Sequence, residues 1–478
     1  MEIIGRRKEK KRLAALKDSG KPEFVAVYGR RRVGKTYLIR EFFDNDFAFY
    51  VTGMEDVGLK EQLQSFASSL MRYGAGDIGE LRDWFTAFER LRDLLEDKIK
   101  EKTRKRRLVV FIDEMPWLDN RRSNFIHAFE HFWNGWGSGQ PQLLLIACGS
   151  ATTWIKNKLL ENYGGLYNRV TAQIELKQFS LAECEEYFEF RGMPMSRFEI
   201  LESFMVFGGI PHYMSLMDIS LSFKQNIDLL CFGKPADLQS EFNKLFASLF
   251  RSYYPYVEVV DALNSKLAGM TFTELASTTS LGATGSLKRI LDDLTNSGFV
   301  NRYRSYGKKA KGTIYKLVDS FVLFYLRFMR DAWDRDTVFW QTYSQKGSYF
   351  SWRGYAFENV CLMHYDQIKS GLGISGINTS HSAWRSEEYD PGIQIDLIID
   401  RDDRIIDLCE MKCTEAPYPI SRETEQTLRN KRAAFMHETK TRKTVRIVMI
   451  TPFGVKNGKY SGIADVEVNL DDLFSVYR

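Results

Sequence analysis

Residues 24–42, FVAVYGRRRVGKTYLIREF, constrain the fold more than any other stretch. A β-prone run, FVAVY, leads into Gly29-x-x-x-x-Gly34-Lys35-Thr36, and a helical pattern follows. Strand, glycine-containing loop and helix, in that order, are the context a phosphate-binding loop requires. The glycines let backbone N–H groups turn inward around phosphate. The helix N-terminus behind them adds a partial positive charge. The loop and its first helical turn are therefore candidate nucleotide contacts: Gly29, Arg30, Arg31, Arg32, Val33, Gly34, Lys35, Thr36 and Tyr37. Lys35 is the candidate β,γ-phosphate ligand, and the Thr36 hydroxyl is a candidate Mg²⁺ ligand. The expected cofactors are ATP and Mg²⁺.

Such a loop needs a second acidic site on a nearby strand. Residues 108–118, LVVFIDEMPWL, supply one. The apolar run reads as a buried parallel strand with carboxylates at its C-terminal end. Asp113 is the second candidate Mg²⁺ ligand, directly or through water. Glu114 is the candidate general base for the attacking water. A third buried run, QLLLIACGSATTW, ends in Gly149-Ser150. Ser150 is equally a candidate γ-phosphate contact and a candidate helix cap. Arg169, shortly before the strand-like TAQIEL, is a candidate to stabilise phosphate charge.

Composition narrows the remaining classes. A chain of 478 residues is too long for one core and predicts about three domains. A net charge of +5 over that length does not by itself imply nucleic acid, so clustering matters more. The six cysteines form no CxxC pair, and the six histidines give no zinc spacing with them, which predicts free thiols in a reducing compartment. MEIIGRRKEKKRL lacks the apolar run of a secretory leader. LLLIAC and FVLFYL are too short to span a bilayer. The expectation is a cytoplasmic protein without a membrane partner.

Residues 271–317 change character. TFTELAS suggests a short helix, and ATGSLKRILDDLTNSG a longer one with Leu287, Ile290, Leu291 and Leu294 on one face. Gly298 suits its C-terminal end. Two short strands with a basic turn follow. This is the order of a winged helix-turn-helix. Lys288 and Arg289 lie on its second helix, and Arg302, Arg304, Lys308, Lys309 and Lys311 on the turn and its flanks. The basic residues suit DNA phosphates, and equally a solubilised packing module. DSFVLFYLRF (319–328) predicts a buried connecting helix.

The last block holds QIDLIIDRDDRIIDLCEMKC (394–413), which fits a β-hairpin. Asp396 sits on its first strand. Glu410 and Lys412, two residues apart on the second, share a face. Two carboxylates and a lysine are hard to leave unpaired in a partly buried place. They suit a divalent metal held by Asp396 and Glu410, with Lys412 activating water or stabilising phosphate charge. Glu358, on the helix-like YAFENVCLMHY, is a candidate third ligand. Ordinary ion pairing on a surface hairpin would produce the same residues.

Taken together, these segments resemble the AAA+/STAND group of P-loop ATPases, specifically the archaeal-type ATPases. Gly5-Arg6-x-x-Glu9, GRRRVGKT, FIDE and GGIPHYM (208–214) carry the resemblance. It implies a helical lid over roughly 180–255, with Gly209 and Pro211 near the nucleotide. The E…D…ExK pattern resembles the PD-(D/E)xK nuclease superfamily, with Ile395 where that name has proline. Such ATPases carry a domain of that kind beyond a winged helix. Gln426 and Lys431 fall where some relatives have an extra catalytic residue.

The expected fold class is α/β: a P-loop NTPase with parallel sheet and helical lid, then a winged helix-turn-helix, then an α/β restriction-endonuclease-like domain. The expected boundaries are 1–178, 179–255, 256–318, 319–350 for connecting helices, and 351–478. The expected function is Mg-ATP hydrolysis whose nucleotide state gates a metal-dependent nuclease-like domain acting on DNA or other nucleic acid. The alternative is an ATP-gated DNA- or protein-binding switch with an inactive platform. A homo-oligomer fits either.

Overall fold

EFVAVY, LVVFID and LLLIACG show no polar alternation because each strand is buried along its whole length. They are the central strands β1 (Glu23–Tyr28), β3 (Leu108–Asp113) and β4 (Leu143–Gly149) of a five-stranded sheet. β2 (Phe49–Thr52) and β5 (Ala172–Glu175) are its edges, and they do expose alternate residues. The order is β2-β3-β4-β1-β5, and every pairing is parallel. Parallel neighbours need crossover connections, supplied by helices such as Lys35–Phe42, Trp84–Lys100 and Phe125–Gly135. The phosphate-loop strand β1 and the acidic strand β3 are not neighbours, because β4 lies between them. Aromatic contacts cover one face: Phe24 meets Phe129 at 5.3 Å and Trp84 meets Phe125 at 4.9 Å.

The computed structural model describes residues 2–100, 107–120, 123–161, 164–250, 252–307, 312–332, 338–344, 346–386, 388 and 392–476. It divides into two compact units, Met1–Gln178 and Phe179–Arg478. No helix among the described residues is long and apolar enough to cross a membrane. All six cysteines are free.

The second unit begins with helices, including Leu181–Phe190, Arg197–Phe207 and Glu241–Leu249. Ser180 and Ser196 start the first two with reciprocal capping boxes, closed by Glu183 and Glu199. Helices Phe272–Thr278 and Gly285–Asn296 follow, and Leu287, Ile290, Leu291 and Leu294 are all buried. β6 (Met270–Thr271), β7 (Val300–Arg304) and β8 (Thr313–Leu317) form an antiparallel sheet in the order β6-β8-β7. Lys308, Lys309 and Lys311 lie outside the described residues. The predicted helix at 319–328 is helical and buried, but after Ser320–Phe324 it continues as a wider π turn, Tyr325–Met329.

The final sheet contains β9 (Thr379–Arg385), β10 (Gln394–Arg401), β11 (Ile405–Met411), β13 (Thr444–Ile450) and β15 (Val466–Val468). Its order is β15-β13-β11-β10-β9. β10 and β11 pair antiparallel, as a hairpin requires, while β11, β13 and β15 run parallel. Helix Arg422–Thr439 makes the crossover between β11 and β13. A minor ladder joins β12 (Tyr418–Pro419) to β14 (Val455–Lys456). Helix Gly347–Met363 precedes the sheet and begins earlier than YAFENVCLMHY suggested.

Candidate functional site

Two clusters carry the predicted site residues, one in each unit. The first is built on the loop after β1. Gly29 has φ +143°, and a Cβ there would lie 2.2 Å from the Leu176 carbonyl oxygen. Gly34, at φ +90°, turns the chain into helix Lys35–Phe42. Arg6 is buried and donates to the Val33 carbonyl at 3.0 Å and the Lys177 carbonyl at 2.7 Å. It therefore braces the loop, a role the Gly5-Arg6 motif did not disclose. Of the loop arginines, Arg31 pairs with Glu55 at 3.7 Å. Tyr37 is exposed and donates to the Glu2 carbonyl.

Lys35 is buried, and its ammonium donates to the Gly29 and Arg30 carbonyls, each at 2.9 Å, and to Ser150 Oγ at 3.0 Å. Ser150 passes the contact on. Its hydroxyl donates to Glu114 Oε1 at 2.6 Å, and its backbone N–H donates to Oε2 at 3.0 Å. Strand order explains this chain, since Ser150 stands at the end of β4 between the two functional strands. The helix-cap alternative for Ser150 fails. Ala151 is the cap residue of helix Thr152–Ile155, and no side chain caps that helix. Glu114 has a left-handed backbone at φ +43°, which is uncommon outside glycine and costly to hold. Gly53 accommodates it, because a Cβ there would lie 2.4 Å from the Glu114 carbonyl oxygen.

Thr36 donates to Asp113 Oδ2 at 2.8 Å, so the two candidate Mg²⁺ ligands adjoin. Burial, and then the neighbouring Glu114, push the Asp113 carboxyl above its ordinary range, while the Thr36 hydrogen bond holds it down. A hydroxyl and a carboxylate are the hard oxygen donors Mg²⁺ takes. Arg169 is exposed before β5, and among the described residues it makes no hydrogen bond to Lys35, Ser150 or Glu114. Gly209 and Pro211 belong to the second unit. A Cβ on Gly209 would lie 2.0 Å from the Phe179 carbonyl oxygen, and Pro211 opens helix Pro211–Ser215. Within that unit both have structural reasons for their identity.

The second cluster lines a cleft of about 880 Å³. Glu358, Asp396, Glu410, Lys412 and Lys431 all face it. The β10–β11 register runs to Leu397↔Cys409, one residue short of Asp396 and Glu410. On its other side β10 is bulged: Asp396 and Leu397 stand against Ala383 alone, between the pairs Ile395↔Trp384 and Ile398↔Ser382. Bulges of this kind re-aim side chains. Gln394 donates to Asp396 at 2.6 Å. Glu410 is held by Lys412 at 2.9 Å and Lys431 at 2.7 Å, one lysine on each oxygen. Burial pushes the Glu410 carboxyl up, but Lys431 and Lys412 together leave it below its ordinary value.

Glu358 differs. Burial and then Asp396 raise its carboxyl to about 7, against the opposing pull of Lys316. Lys316, buried on β8, pairs with it at 3.4 Å. No spacing in the sequence linked these two residues. Among the described residues, no three His, Cys, Asp or Glu side chains are grouped to hold one metal ion. Glu358, Asp396 and Glu410 thus share a cleft without forming the three-ligand shell expected of them. Gln426 turns to Asn430 at 3.0 Å, whereas Lys431 joins the cleft. Lys288 and Arg289 are exposed on their helix, and Arg302 pairs with Asp292 at 3.7 Å.

The model of a family described as an ATPase domain predominantly from Archaea matches residues 4–217. An uncharacterized protein of Methanocaldococcus jannaschii is 25% identical over 378 residues, covering 75% of this chain and 76% of the relative. The Walker-type ATPase of Pyrococcus abyssi is similar in structure, with a TM-score of 0.50 at 18% identity over 68% of this chain and 96% of that one. The Aeropyrum pernix ORC2 protein aligns at 14% identity over 68% of this chain and 93% of its own, with a TM-score of 0.42. The matched segment contains the phosphate loop, the acidic strand and Ser150, so the chain carries an ATP-hydrolysing domain of the archaeal type.

Proposed function

We propose, from the premise that residues 4–217 are an archaeal-type ATPase domain, that ATP turnover gates a nuclease-like cleft in the second unit that acts on nucleic acid. In the first unit Lys35 leaves its loop carbonyls to hold the β- and γ-phosphates. Thr36 and Asp113 would hold Mg²⁺, which supplies charge neutralisation at the phosphates. Glu114 accepts the proton of the attacking water, a role that requires its carboxylate to exchange Ser150 for water. Ser150 then remains on Lys35 as a γ-phosphate contact. Arg169 stabilises phosphate charge, and the assignment of Gly209 and Pro211 to the nucleotide rests on the family resemblance.

In the second unit Asp396, Glu410 and Glu358 would have to draw together to hold a divalent metal, since they form no such group among the described residues; the metal would supply Lewis acidity at phosphate. These groups fit in kind, being oxygen donors. Lys412 and Lys431 keep Glu410 ionised and bring positive charge to where phosphate charge develops. The helices and small sheet at 256–318 act as a winged helix that relays nucleotide state or touches DNA. The observation that carries the reading is that Asp396, Glu410 and Lys412 line one cleft.

A second reading is an ATP-gated binding switch with an inactive cleft. It is favoured by Glu410, both of whose oxygens are occupied by lysines. The deciding experiment is cleavage of plasmid, single-stranded DNA and RNA with Mg²⁺ or Mn²⁺, with and without ATP, by wild type and Lys412→Ala. Cutting by wild type alone supports the nuclease, and its ATP dependence reports the gate. If wild type cuts none of these with either metal, the switch reading replaces it.

A further inference from the structure

One wall of the C-terminal cleft is a helix face of which the proposed chemistry uses Glu358 alone. Phe350, Ser351, Gly354, Tyr355 and Glu358 follow one stripe of helix Gly347–Met363, and all five line the cleft. The same helix buries Tyr349, Trp352 and Phe357. Phe350 and Tyr355 instead remain 47% and 43% exposed. Phe350 is nevertheless held in place. The Arg353 guanidinium stands 4.9 Å from its centroid, and the Tyr349 ring meets it edge-on at 5.6 Å. Arg353 in turn is anchored by Glu415. A large apolar ring kept rigid and half-exposed inside a cleft is a surface ready for another flat group.

Gly354 lies between the two rings. Glycine inside a helix is destabilising relative to alanine. Nothing in the chain's own packing demands it here, because an added Cβ would meet no atom within 4 Å. Its effect is to lower the cleft floor, so that a ligand can approach the backbone between the rings. Lys412 and Lys431, both paired to Glu410, line the same cleft. The cleft lining sets three carboxylates, Glu358, Asp396 and Glu410, against these two lysines, so long-range attraction of a polyanion is weak and flat stacking must supply affinity. A volume of about 880 Å³ lies in the range of sites that enclose a small ligand. A space of that volume holds a few unstacked nucleotides.

We propose that this cleft takes an unpaired nucleic-acid strand, with bases stacked on Phe350 and Tyr355 over Gly354 and the backbone passing Lys412 and Lys431. Stacking on exposed aromatic rings is how single strands are held without sequence readout, and enzymes that act on a base take it out of the stack. The inference rests on the nucleic-acid reading above and names its substrate class.

The test is a fluorescence-anisotropy titration of the full chain with a short labelled single strand and with its duplex, in EDTA so that nothing is cut. The single strand is expected to bind more tightly. Phe350→Ala and Tyr355→Ala should each weaken it about tenfold. Gly354→Leu should weaken it as much while leaving the melting temperature unchanged or higher, which separates blockage from misfolding. Equal binding of duplex and single strand overturns the proposal, as does wild-type affinity in Gly354→Leu or in both ring variants. No binding of either probe also overturns it, and so does ring-dependent binding of an unstructured peptide in place of the strand. If single-strand binding depends on the rings but no metal supports cleavage, this inference stands and the nuclease reading falls. If duplex is cut and the ring variants behave as wild type, the reverse holds.

Discussion

In the first unit Lys35 reaches Glu114 through the Ser150 hydroxyl, whereas in the second Lys412 and Lys431 contact Glu410 directly. A neutral hydroxyl between the charges keeps lysine and carboxylate close without neutralising either. Either can then turn to a phosphate or a water. In the second site each charge is spent on the other, and a ligand must compete with two ion pairs. The arrangement of the strands accounts for the difference. β4 inserts Ser150 between β1 and β3, while Glu410 on β11 and Lys412 just past its end meet with nothing between them.

The largest expected effect concerns the relay. Lys35→Ala should lower ATP turnover by roughly 10²–10³-fold, while Lys412→Ala, which removes a contact to Glu410 within the second unit, leaves it about unchanged. Phosphate release measured on both variants would break the comparison if Lys412→Ala were equally damaging. Ser150→Ala should cost about 1–3 kcal/mol of stability, since it takes a donor from a part-buried carboxylate. Urea unfolding followed by a first-unit tryptophan reads this loss. An unperturbed unfolding midpoint would mean that the relay carries no structural weight.

Acidification separates the two units further. His364 is buried and locked neutral: its Nδ1–H donates to the Val360 carbonyl at 2.8 Å, and Nε2 accepts from the Leu181 N–H at 3.0 Å. Burial lowers it to about 4, below the ordinary value near 6.5. The unfolded chain therefore binds the proton first, and stability of the second unit is lost as pH falls from about 6.5 to about 4. Glu358 opposes this. Its folded value of about 7 is above the ordinary carboxyl value, so its contribution is full below about 4.3 and is lost as pH rises through about 7. Each term amounts to roughly 3 kcal/mol, and the two oppose each other between pH 7 and pH 4.5. Glu358→Gln should unmask the histidine loss, and His364→Gln the opposite gain, in unfolding curves at pH 7 and pH 4.5. In the first unit Asp113, raised by burial, gives only the carboxyl-type trend, a gain on acidification.

The smallest effect contrasts two glycines. Gly354→Ala should stabilise by about 0.5–1 kcal/mol, because it adds helix propensity in open space. Gly29→Ala should destabilise, because the new Cβ would strike the Leu176 carbonyl and the φ is unfavourable. Melting temperatures of the pair would sharpen the difference between a glycine demanded by the fold and one left free for a ligand.

By itself the sequence determined what depends on neighbours along the chain. The phosphate loop, the doubly buried strands and the apolar face of helix Gly285–Asn296 follow from local spacing, because sterics and periodicity act over a few residues. Tertiary structure alone decided what depends on strand order and register. It inserted Ser150 between Lys35 and Glu114, and it set Lys316 against Glu358 across 42 residues. It gave Lys431 to Glu410 and left Phe350 and Tyr355 open while burying three aromatics of the same helix. Ion pairs and exposure are settled only when distant segments pack, and a lysine in a sequence carries no mark of which carboxylate it will meet.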